Sequence, residues 1–248
     1  MKLEKTKVYN LEGAFRGMRN PLASWGRSDS GSTLATTAEE VASTYGENIN
    51  SYSKWLREQT LLCDYYIGAK DMDLAMRLCK AGSEHRKYLR QIIVSVDITA
   101  PLYVWKELDT YKVGTVANST STMHKLASTP ITLDCFEIDD YNGNLKIYDE
   151  DIYLKQKVEE LIEFYETLRN KYNETKDKSY WKELIRWLPE GWLQTRTMTF
   201  NYENIRSICG QRQGHRLSEW QAFVAWAKEL PYANQLIFDE PLPAFDKK

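Results

Sequence analysis

Nothing in this sequence offers a metal cluster, a disulfide framework or a membrane span. Its four cysteines, Cys63, Cys79, Cys135 and Cys209, stand far apart with no C-x-x-C pair, and its three histidines, His85, His124 and His215, are as scattered. Structural zinc needs grouped ligands, so that class is set aside. A chain of 248 residues is also too long to depend on disulfides for its core. No run approaches 18 apolar residues, and the opening MKLEKTKVYN lacks the apolar stretch of a signal peptide. The expectation is a cytoplasmic protein with no membrane contact. A formal net charge of -2 and a pI of about 6.0 give no global basic field, so nucleic acid is not an expected partner. No internal repeat, low-complexity segment, Ser-His-Asp set or Cys-His pair stands out, and no catalytic nucleophile is assigned.

What is present is an ordinary globular composition, 42% hydrophobic and 27% charged, with 8 Trp and 16 Tyr for packing and interfaces. One domain over residues 1–248 is the simplest account. The chain centres on Ile92 to His124. Ile92, Val94, Val96 and Ile98 alternate with Ile93, Ser95 and Asp97, which predicts a strand. Ala100-Pro101 stops its ladder. Tyr111 to His124 is then almost wholly small or polar: Lys112, Gly114, Thr115, Asn118, Ser119, Thr120, Ser121 and Thr122. Hydroxyls and backbone N–H groups after a buried strand suit an anionic ligand such as a nucleotide phosphate. The same run equally reads as a solvated Ser/Thr/Asn loop.

Around that centre the pattern predicts helices with few strands. Residues 13–35, rich in Gly, Ser, Arg and Asn, read as a polar arm rather than a helix, with Arg16, Arg19 and Arg27 as phosphate donors or solvated side chains. A capping box at Thr37 and Glu40 opens a helix toward Tyr66, whose stripe of Ile49, Tyr52, Trp55, Leu56, Gln59 and Leu62 suits a core or a subunit contact. A helix over 71–80 ends at Gly82, placed for a left-handed cap, and a short helical stretch from Ser83 leads into Leu89. Residues 131–148 read as a hairpin around Asn142-Gly143. Further helices are expected at 153–173, 179–187, 201–211 (capped by Asn201) and 218–229 (weakly capped by Ser218), with a linker at 171–178. A strand is expected at 195–200, and the tail 231–248 is expected to be extended.

The order of these signals resembles the flavin-dependent thymidylate synthases. Gly82-Ser83-Glu84-His85, the strand into Ala100-Pro101, the polar loop to His124, Leu188-Pro189 and the Asn201-to-Arg212 helix follow that family's sequence of motifs. The similarity spans 68–230, roughly two thirds of the chain, and is stronger in spacing than in identity. The family's R-H-R-x-x-S-x-N-E-x-S-x-R-Y signature, laid without gaps from Ala100-Pro101, puts Arg-His-Arg on Thr110, Tyr111 and Lys112. Its serines fall on Thr115 and Thr120, its Asn-Glu on Ala117 and Asn118, and its Arg-Tyr on Thr122 and Met123. Lys112, Thr115 and Thr120 keep the chemical character.

The resemblance implies an α/β (α+β) fold with helices around a small central sheet, and a homotetramer with shared active sites. It implies flavin-side contacts at His85, Tyr111, Lys112 and Asn201, and nucleotide-side contacts at Glu107, Asn118, Ser119, Thr120 and Arg212. A second register pairs Asn204 with Arg206, Asn201 alone is explained as a helix cap, and His85 and Arg212 are also explained as solvated helix-end residues. The implied activity converts dUMP to dTMP, with FAD, a reduced nicotinamide and a folate as cofactors. The lost arginines and histidine remove charge-assisted hydrogen bonds worth about 1.5–3 kcal/mol each, unless Arg90, Lys106, Lys125 or the arm's arginines compensate. Two other readings follow: a non-catalytic relative that binds a nucleotide or a protein partner, and an enzyme acting on another pyrimidine nucleotide.

Overall fold

Alternation of apolar residues builds the central strands. The computed structural model describes residues 1–32, 63–148 and 151–242. In chain order these residues form β1 (Lys2–Tyr9), α1 (Leu11–Met18), β2 (Gly31–Ser32), β3 (Tyr65–Tyr66), α2 (Ala69–Ala81), β4 (Ile93–Pro101), α3 (Leu102–Leu108) and β5 (Val116–Ser119). There follow α4 (Thr122–Lys125), β6 (Lys146–Tyr148), β7 (Ile152–Tyr153), α5 (Leu154–Thr175), α6 (Lys178–Arg186), β8 (Leu193–Asn201), α7 (Tyr202–Arg212), α8 (Ser218–Lys228) and α9 (Ala233–Leu236). The main sheet has the order β1-β4-β8-β5. This is the mixed architecture expected, helices with a small sheet. No helix among the described residues is long and apolar enough to cross a membrane.

By its contacts the chain forms two compact units. One comprises residues 1–2, 98–110 and 118–196; the other comprises 3–97, 111–117 and 197–248. In β4 the period-two pattern is realised: Val94, Val96 and Ile98 are fully buried while Ile93, Ser95 and Asp97 are half-buried. Within the larger unit, α7 and α8 add Ile205, Ile208, Trp220 and Phe223 to the core. Phe223 meets Phe200, Trp220 and Trp226 with ring centroids 6.1, 5.9 and 5.1 Å apart. The smaller unit has its own cluster of Leu126, Ile131, Tyr165 and Leu184, against which Phe136, Leu168 and Trp192 pack. Its helices α5 and α6 are joined by Lys176 in a left-handed conformation (φ 58°) and by Asp177, whose carboxylate accepts from Ser179 N at 2.8 Å and caps α6.

Several expectations need correction. The 13–35 segment carries a helix, α1, extended by short 3-10 turns at Asn20–Leu22 and Trp25–Arg27. Leu11, Ala14, Phe15 and Met18 bury one face at helical spacing, which outweighs the roughly 1 kcal/mol that an interior glycine costs. Gly17 permits a close approach: a Cβ there would lie 2.7 Å from Gln91 Oε1. The 131–148 hairpin is absent. Leu133–Cys135 turns as a 3-10 helix, Phe136 bridges to Trp192, and Lys146–Tyr148 pairs with Ile152–Tyr153. The expected linker is shortened because α5 runs to Thr175. Gly82 has positive φ (117°) but not a left-handed cap geometry, and Leu217, not Ser218, occupies the cap position of α8. The helical stretch before β4 is a 3-10 turn at Lys87–Gln91. The tail contains α9 because Ala233, Gln235 and Leu236 are buried. The helix expected from Thr37 lies outside the described residues, except that Tyr65–Tyr66 is strand.

Candidate functional site

Asn201 ends β8 and opens α7, and its neighbours organise the first group of candidate residues. Asn201 Oδ1 accepts from Asn204 N at 2.9 Å, while Asn204 Oδ1 accepts from Asn201 N at 3.1 Å, a reciprocal capping box. Asn204 Nδ2 donates to Val113 O at 2.6 Å, and the backbone of Gly114 (φ 79°) lies beside Asn201. The polar turn therefore runs along the start of α7. Lys112 O accepts from Thr115 N and from Thr115 Oγ1, both at 3.2 Å, which closes the turn.

At the other end of α7, Tyr111 Oη donates to Gln211 Oε1 at 3.1 Å and accepts from Arg212 Nε at 3.1 Å. The Arg212 guanidinium lies 4.6 Å from the ring centroid of the fully buried Trp220 and 5.8 Å from that of Tyr111. Tyr111, Lys112, Asn201 and Arg212 are thus brought to one helix and one turn. Of the competing register, Asn204 belongs to this group through Asn201 and Val113, and only Arg206 is engaged elsewhere. Arg206 Nη1 binds the carbonyl oxygens of Leu236 and Ile237 and Asp239 Oδ1, at 3.1, 3.0 and 3.0 Å.

His85 lies elsewhere in the same unit. It is exposed on a groove of about 400 Å³ whose apolar wall includes Met18, Leu22, Leu74 and Leu78. Among the described residues no hydrogen bond joins His85 to Tyr111, Lys112, Asn201 or Arg212. Its surroundings mix an apolar face with polar groups, as small-molecule grooves do.

The remaining candidates belong to the other unit. Asn118, Ser119 and Thr120 are exposed at and just after the end of β5. Thr120 is tied to β8: its N and Oγ1 donate to Thr195 O at 2.9 and 3.2 Å, and Gln194 Nε2 donates to Thr120 O at 2.9 Å. Glu107 is half-buried in α3, and its carbonyl accepts from Thr110 Oγ1 at 2.7 Å.

The sequence reading passed over Arg196 and Trp105 in this unit. Arg196 lies over the Trp105 ring at 4.2 Å, pairs with Asp109 at 3.0 Å and donates to Gln194 Oε1 at 3.0 Å. An arginine among the threonines of a half-buried strand was the available signal. Among the described residues no group of His, Cys, Asp and Glu is placed to hold a metal ion.

The architecture that holds these groups is that of the flavin-dependent thymidylate synthases. The flavin-dependent thymidylate synthase of Helicobacter pylori, solved in complex with FAD and dUMP, superposes with a TM-score of 0.60 at 16% identity, covering 96% of this chain and 99% of that one. A second structure of that enzyme with FAD and dUMP gives 0.59 at 16% identity, covering 96% and 98%. A UMP/dUMP methylase from Streptomyces cacaoi, bound to 5-Br dUMP, gives 0.46 at 16% identity, covering 96% of each chain. No protein-family profile matches the chain, and no curated protein matches it.

Proposed function

We propose that this protein is a divergent flavin-dependent nucleotide methyltransferase that converts dUMP to dTMP. The observation that supports this reading most is the shared fold, which takes in nearly the whole of this chain and of the synthase. Fold alone does not carry chemistry, so the residues must fit the group proposed.

They do so by type. Lys112 is an exposed cation on a closed turn and suits a phosphate of FAD, with Tyr111 and Asn201 beside it. His85, on a groove with an apolar wall, suits a flat ring that also needs a polar contact. Bound FAD, once reduced, would supply the hydride, and a folate would supply the one-carbon unit. The protein's own share is to bind and orient: the exposed polar run Asn118 to Thr120, with Glu107 in the same unit, suits the nucleotide. No side chain is required as a nucleophile. A reduced nicotinamide as electron donor and a tetrameric assembly complete the proposal.

The experiment is turnover. The purified protein, given FAD, reduced nicotinamide, methylenetetrahydrofolate and dUMP, is expected to form dTMP, and no product under these conditions would contradict the reading.

One observation favours a second reading, a non-catalytic relative that retains a nucleotide pocket. The side chains of Asn204 and Arg206 and the Nε of Arg212 are bonded to other parts of the chain. Such a protein would shift its melting temperature with dUMP yet form no product.

A further inference from the structure

We infer that Arg212, Gln211 and Asn204 are positioning residues, which clamp the 111–115 turn to α7 at two points so that Lys112 is presented as a fixed cation to a phosphate group of a bound dinucleotide. The inference rests on the flavin reading above and departs from the resemblance in one respect. Arg212, matched there to the nucleotide, acts here through Tyr111.

The first point of the clamp is a directed chain of hydrogen bonds. A tyrosine hydroxyl has one proton and accepting lone pairs. Gln211 Nε2 donates to Ser207 Oγ at 3.3 Å, which turns Gln211 Oε1 toward Tyr111 and draws the hydroxyl proton to it. A lone pair of Tyr111 Oη then receives Arg212 Nε–H. The guanidinium rests on Trp220, which is fully buried and packed edge-on against Phe223, so the platform cannot swing. Tyr111 itself meets Trp220 edge-on, with centroids 6.5 Å apart.

The second point is Asn204. Its Oδ1 serves the capping box while its Nδ2 holds Val113 O at 2.6 Å. Gly114 follows with φ 79°, where a Cβ would stand 3.0 Å from Asn201 Nδ2, so the close approach and the backbone conformation both call for glycine. Residues 111 and 113 are thus fixed, and Lys112 lies between them.

Lys112 is exposed, and among the described residues its ammonium enters no ion pair. A lysine is a point charge on a flexible stem, so holding its backbone still lowers the entropy lost when it meets an anion. Two anchors substitute in this way for the denser cluster of donors that the turn lacks.

A double-mutant cycle on the full chain tests the clamp, with FAD affinity read from flavin fluorescence and riboflavin as a probe that lacks phosphate. Lys112→Ala is expected to weaken FAD by about tenfold, as for a charge-assisted contact. Tyr111→Phe, which keeps the ring and removes the hydroxyl, is expected to weaken FAD by about threefold or more. In the Lys112→Ala background the same change should add nothing, and riboflavin affinity should not respond to either. Gln211→Ala, at an exposed side chain, repeats the test without touching the ring, and Asn204→Asp keeps the cap oxygen while removing the donor to Val113. Losses that multiply in the double variant, or wild-type FAD affinity in Tyr111→Phe and Gln211→Ala with an unchanged melting temperature, overturn the clamp and leave the flavin reading intact. Wild-type protein that binds neither FAD nor riboflavin contradicts the flavin reading and the clamp together.

Discussion

Asn201 and Asn204 cap α7 reciprocally, each side-chain oxygen accepting the other's backbone N–H at 2.9 and 3.1 Å. The cap accounts for an asparagine at 201 without a ligand, and substitution separates the two roles. Asn201→Ala is expected to lower stability by about 0.5–2 kcal/mol in urea unfolding. Asn201→Asp keeps the accepting oxygen and should hold stability close to wild type. A loss of FAD affinity in Asn201→Asp would then report a flavin contact, since a carboxylate opposes the phosphates.

Composition predicts a polar arm whose arginines serve a phosphate or lie in solvent, yet Arg19 is buried against Asp71. Arg19 Nε donates to Asp71 Oδ1 at 2.5 Å, and the Ser28 and Ser30 hydroxyls donate to Oδ2 at 2.5 and 2.6 Å. Asp71→Asn would leave a buried guanidinium without its counter-charge, and a loss of about 3–5 kcal/mol is expected in denaturant unfolding. Asp73→Asn, in an exposed pair with Arg77, should change stability by less than about 0.5 kcal/mol.

Those two predictions mark what the sequence made legible. The strand into Ala100-Pro101, the helix after Asn201 and the long helix from residue 154 follow from period and capping, both local properties. The proximity of Tyr111 to Arg212 was not legible, because it joins residues far apart in the chain through a single hydroxyl. The helix within the arm was obscured by Gly13 and Gly17, whose cost is local while the burial of Phe15 that offsets it is tertiary. The hairpin failed for the same reason. Ile131 and Phe136 are drawn into a core with Tyr165 and Leu184 that no local pattern announces.

Glu166 gives a prediction at acid pH. It accepts from Arg169 Nε at 2.7 Å and from Ile131 N at 2.9 Å, and the arginine first, then the backbone N–H, holds its carboxyl below the usual range. A depressed carboxyl stabilises the fold above its unfolded value, and that contribution is lost as pH falls through its folded value. Glu166→Gln should flatten the acid limb of the melting-temperature profile, with a change at neutral pH of no more than about 1 kcal/mol because the pair is partly exposed.

Buried thiols give the converse at alkaline pH. Burial pushes Cys63 up to about 11 and Cys209 up to about 12, and burial first, then the nearby Asp71 charge, pushes Tyr65 up to about 12. Above the ordinary thiol range the unfolded chain releases protons that the folded chain keeps, so stability should fall as pH rises through that window. In the native protein a thiol reagent is expected to modify the half-buried Cys135 well before the three buried cysteines. Equal rates at all four would contradict this burial.

The central claim is that this fold holds a flavin. The purified protein is incubated with FAD, desalted, and its visible absorption spectrum recorded beside that of Lys112→Ala. The account predicts a flavin band retained by the wild type and diminished in the variant. A folded wild-type protein that emerges colourless would contradict it.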